Sequence, residues 1–121
     1  MAKQMKRSVT ISVGSLRDAR ERLAGAFEGK TQEPRITFAT LDLMWRTLTP
    51  RRQELLQAMA GHQAMSIRAV ARLVGRDVKA VHGDVHALLA AGVLQIHDGE
   101  GVIFPYEGLH VDYHLQAQAV A

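Results

Sequence analysis

Two histidines, His82 and His86, stand four residues apart, and His110 and His114 repeat that spacing near the other end of the chain. One helical turn brings such a pair onto one face, the arrangement in which two imidazoles grip a metal ion. No glutamate joins them in a His-Glu-x-x-His order and the chain contains no cysteine, so no metal or other cofactor is expected. No Ser-His-Asp order, glycine-rich phosphate loop or paired-carboxylate motif stands out, and the chain reads as a non-enzyme. What remains is cationic and polar chemistry: Arg51, Arg52, Ser66, Arg68, Arg76, Lys79, His82 and His86 fall within one short stretch. Guanidinium, ammonium and hydroxyl groups suit phosphate oxygens, and imidazole donates to or accepts from a base edge, so these eight are the candidate contacts to duplex DNA.

The charge is unevenly laid out. Of 121 residues, the first 48 carry nine Lys/Arg against five Asp/Glu, residues 49 to 91 carry six against three, and residues 92 to 121 carry none against four. A basic body with an acidic end fits a phosphate-facing surface on one side. The lack of cysteine suits a reducing, cytoplasmic location, and no apolar run is long enough to cross a membrane.

The elements that must position these residues follow from periodicity. Residues 7 to 13 alternate and are rich in β-branched types, which predicts a strand. Ser15 is a candidate N-cap for a helix from Leu16 to about Phe27, with Leu16, Ala19, Leu23 and Phe27 on one face, and residues 28 to 35 read as a linker. After a short extended piece at 36 to 38, Leu41, Met44, Trp45 and Leu48 predict an amphipathic helix begun by Thr40, with Trp45 in the core. Thr49-Pro50, Ser66 and Asp77 open three further helices, ended by Gly61, Gly75 and Gly92. In the third, Val78, Val81, Val85, Leu88 and Leu89 form the buried stripe, which leaves Lys79, Ala80, His82, Gly83 and His86 outward. At 1.5 Å per residue the segment 77 to 91 is a rod of about 22 Å, long enough to lie in a major groove. The period then switches to alternation: Val93 to Ile96, a turn at residues 97 to 101, and Val102 to Phe104 predict a β-hairpin, followed by an extended piece at 109 to 115.

Three short helices closed by tight turns and followed by a hairpin are the order of a winged helix-turn-helix. Arg76 and Lys79 are expected at the N-terminus of the third helix, where backbone N–H groups also favour phosphate, with Arg51, Arg52, Ser66 and Arg68 anchoring the backbone from the two helices before it. Asp84 reads as a local partner for Arg72, Arg76 or a helix neighbour. Asp98 and Glu100 at the wing tip would repel phosphate, so the wing is expected to be structural.

The runs Leu48-Thr49-Pro50-Arg51-Arg52, Met65 through Asp77, and Val81-His82-Gly83-Asp84-Val85, with Gly92-Val93-Leu94 entering the wing, resemble small prokaryotic winged-helix regulators of MarR-like type. Ala80 and Gly83 depart from that pattern, standing where a larger polar and a basic residue are expected. The resemblance implies DNA binding in transcriptional control, some relatives being antitoxins of toxin-antitoxin pairs. The expected fold is α+β, mainly α, divided into an N-terminal strand-helix extension at 1–35, a winged helix-turn-helix at 36–115 and a tail at 116–121. The expected function is a repressor that binds double-stranded DNA as a homodimer, with an antitoxin that binds a cognate toxin as the alternative.

Overall fold

The computed structural model describes residues 8–14, 16–27, 34–115 and 117. Along the chain lie β1 (Val9–Val13), α1 (Leu16–Phe27), β2 (Arg35–Phe38), α2 (Leu41–Thr47), α3 (Pro50–Met59), α4 (Ile67–Val74), α5 (Val78–Ala90), β3 (Gln95–His97), β4 (Gly101–Ile103) and β5 (Leu109–Asp112). The fold is α+β. The expected cap at Ser15, most of the linker at 28–35 and most of the tail at 116–121 lie outside the described residues.

Local chemistry sets the helix boundaries. The amide of Leu43 donates to Thr40 Oγ1, that of Arg52 to Thr49 Oγ1 and that of Ala69 to Ser66 Oγ. Each cap satisfies an amide that has no partner inside its helix and contributes about 1 kcal/mol. Pro50 occupies the first turn of α3, where its missing N–H costs nothing. Gly75 ends α4 in the left-handed region at φ 68°, and the chain restarts as α5 three residues later. This abrupt turn separates the directions of α4 and α5.

The strands form two sheets. β3 and β4 make an antiparallel hairpin, and Met65 extends it through a bridge to Val102, with each amide donating to the other's carbonyl at 2.9 and 2.8 Å. The other sheet has the order β2-β1-β5 with both pairings parallel. Val9, Ile11, Ile36, Phe38, Leu109 and Val111 share its core-side face, whereas Thr10, Ser12, Arg35, Thr37, His110 and Asp112 occupy alternate positions. Ser12 is buried and accepts a hydrogen bond from Arg35 Nη1 at 3.0 Å.

One apolar core joins Val9 and Ile11 of β1 to Met44, Leu48, Leu55, Leu56, Met59, Val70, Val81, Val85, Leu88 and Phe104. The N-terminal strand is therefore packed into the same body as the helices. The sheet runs across the expected boundary at residue 35, because β1 finds its partners at both β2 and β5. Three apolar expectations are corrected. Trp45 is 38% exposed and stacks edge-on against Tyr113 instead of entering the core. Val78 is exposed at the first turn of α5, outside the buried stripe, and Ile96 in the hairpin is 70% exposed. In each case periodicity placed the residue on an apolar face, but among the described residues that position is left partly or largely open to solvent. Among the described residues no helix is long and apolar enough to cross a membrane.

Candidate nucleic-acid interface

The buried stripe of α5, Val81, Val85 and Leu88, is fully enclosed. That fixes the rotation of the helix, and the opposite side carrying Lys79, Ala80, His82, Gly83 and His86 is exposed, as the spacing predicts. A side chain built on Gly83 would meet nothing within 4 Å. Among the described residues nothing packs over this face.

The structure divides the eight candidate contacts into two groups. Arg51, Arg68, Lys79, His82 and His86 are exposed, and Ser66 is exposed while its oxygen serves the α4 cap. Arg52 and Arg76 are turned inward instead. Both reach Asp84 on the flank of α5, Arg52 Nε at 3.1 Å from Oδ1 and Arg76 Nη1 at 2.9 Å from Oδ2, with side-chain exposures of 22%, 18% and 15% for Arg52, Arg76 and Asp84. The first contact is a hydrogen bond; the second is a charge contact, in which neither buried atom has a hydrogen-bond partner among the described residues. Arg52 also donates to the carbonyls of Arg46 and Thr47 at the end of α2. Its guanidinium thus joins the end of α2, the start of α3 and the middle of α5.

The cluster contains two guanidinium groups and one carboxylate, so a single positive charge is left over close to the exposed face of α5. Asp84 was legible as a partner of Arg76 from proximity in sequence, but Arg52 was not, because the meeting depends on how α3 crosses α5. Arg72, the other cation considered for Asp84, is exposed.

The N-terminus of α5 also differs from expectation. Asp77 Oδ2 accepts from the amides of Lys79 at 3.0 Å and Ala80 at 3.4 Å. The groups expected to be open to phosphate are occupied by a carboxylate, which satisfies the helix dipole internally. The cation left exposed at the first turn of α5 is the side chain of Lys79.

His82 and His86 face each other across one turn, Nε2 to Nε2 at 3.1 Å, with ring centroids 4.2 Å apart. At the hairpin turn His97 Nδ1 lies 3.2 Å from Glu100 Oε2, and Asp98 and Glu100 are exposed, so the tip is acidic as expected.

No curated protein and no solved structure matches the chain. The family model HVO_A0114 matches residues 47–111, from the last residue of α2 into β5. The match spans α3, α4, α5, the hairpin and more than half of the 121 residues, and the chain belongs to the HVO_A0114 family.

Proposed function

We propose that this protein is a DNA-binding transcriptional regulator of winged helix-turn-helix form, acting as a homodimeric repressor with α5 in the major groove. The observation that carries the reading is the exposed Lys79-His82-Gly83-His86 face, held outward by a fully buried stripe on the same helix. Supporting it are the abrupt α4–α5 turn at Gly75 and the hairpin stitched to Met65, which give the order of elements found in winged helices. Arg51 and Arg68 add exposed cations at the starts of α3 and α4. In this role Lys79, Arg51 and Arg68 hold phosphates and His82 reads a base edge, while Arg52 and Arg76 support α5 from behind.

The test is selection of bound fragments from genomic DNA, followed by fluorescence anisotropy on the selected duplex over a range of salt. Binding that weakens steeply with salt and prefers the selected site over scrambled duplex is expected; no preference at any salt rejects the reading.

A second reading, an antitoxin that captures a cognate toxin and represses its own operon, is favoured by a different surface. Among the described residues β5 is an edge strand, and the exposed Trp45–Tyr113 pair involves the residue just after it, in a stretch without a single lysine or arginine. Such an edge accepts a strand from a partner, preferably a basic one. Co-purification of a stoichiometric basic partner, lost on Trp45→Ala, supports that reading.

A further inference from the structure

We propose that His82 and His86 form a two-imidazole chelate for a late first-row divalent cation, of which zinc is the probe. The sequence gives only the spacing. The structure adds that both rings are exposed, that their Nε2 atoms stand 3.1 Å apart, and that no side chain from Gly83 intervenes. Zinc binds imidazole nitrogen at about 2.0–2.1 Å, so two nitrogens at this separation subtend about 95–100° at a shared ion. That angle falls between the right angle of octahedral neighbours and the tetrahedral angle, and α5 need not change its backbone to supply it.

In the metal-free molecule the two Nε2 atoms are within hydrogen-bonding distance, one ring donating and the other accepting. The accepting ring already carries its Nε2 lone pair unprotonated, ready to be given to a cation in place of the hydrogen bond. The donating ring needs its proton on Nδ1 instead, a tautomer change that both exposed rings allow and that loses no atom. An incoming cation then takes the place of the shared proton. Asp84, the nearest carboxylate in sequence, is committed to Arg52 and Arg76, and among the described residues no group of three or more metal-binding side chains is assembled. Two protein ligands leave the rest of the coordination sphere to water or to an oxyanion, so this is an open site. The chelate requires only the exposed pair and stands whether or not α5 meets a duplex.

The experiment is calorimetric titration of the intact protein with zinc chloride in the absence of DNA, together with long-range 1H–15N spectra of the histidine rings. One zinc per chain is expected, with the Nε2 resonances of His82 and His86 moving together. Removing a direct ligand should weaken binding at least as much as removing a supporting partner, roughly tenfold or more, in each of His82→Gln and His86→Gln. Both positions are exposed, so circular dichroism of the variants should match the parent. Unchanged zinc affinity in both variants, or ring shifts confined to other histidines such as His97 beside Glu100, overturns the proposal.

Discussion

Asp84 shows how much one carboxylate settles when it is enclosed. Its two oxygens separate two guanidinium groups that would otherwise face each other, and its removal leaves both buried and uncompensated. Breaking such a cluster from one side costs about 3–5 kcal/mol, so Asp84→Ala should lower the stability by that order in urea unfolding. Asp84→Asn, which keeps shape and one acceptor, should cost less. Lys79 belongs to the other kind of residue, exposed and structurally unneeded. Lys79→Ala should leave unfolding unchanged, weaken binding across all duplex sequences, and reduce the slope of log affinity against log salt by about 1. His82→Ala should instead change the ranking among sequences, and an equal loss on every duplex removes it from base reading. At this scale the sequence showed which residues carry cationic chemistry but not where each one points. Arg51 and Arg52 are neighbours with the same side chain, yet one is exposed and the other reaches an acid on another helix.

Among the elements, the helices were the most legible, because their signals are local. Thr40, Thr49, Ser66 and Asp77 act as N-caps where their types and positions suggested, and Gly75 stops α4. Two glycines give contrasting expectations. Gly83 lies mid-helix in α5, exposed, with open space around it, so Gly83→Ala should raise the unfolding midpoint, by about 0.5–1 kcal/mol in stability. Gly101 has φ 113°, and a side chain there would run into the Met65 carbonyl that bridges to Val102. Gly101→Ala should therefore destabilise the protein by about 1–3 kcal/mol and loosen the amides of Met65 and Val102 in hydrogen exchange. Strand existence was also legible from alternation, but strand partners were not. Alternation fixes which face a residue takes and carries no record of which distant segment lies alongside. The N-terminal strand thus read as an extension, although it is the middle strand of a sheet.

The whole molecule is unified by that middle strand, since Val9 and Ile11 are completely buried in the same core as α3, α4 and α5. Ile11→Ala should cost about 2–5 kcal/mol and shift the single unfolding transition of the entire chain; a separate early transition with the main one unmoved would mean an independent N-terminal unit. The parallel pairing of Val9 with Leu109 has a further consequence for how the protein is made. During synthesis β1 emerges well before β5, so one side of the central strand waits unpaired while everything between is translated. Closing so long a loop is entropically slow and raises the contact order of an otherwise helical, fast-folding body. Until the ribosome has released β5, the nascent chain exposes an apolar strand edge, the form of the molecule most prone to aggregate or to require a chaperone.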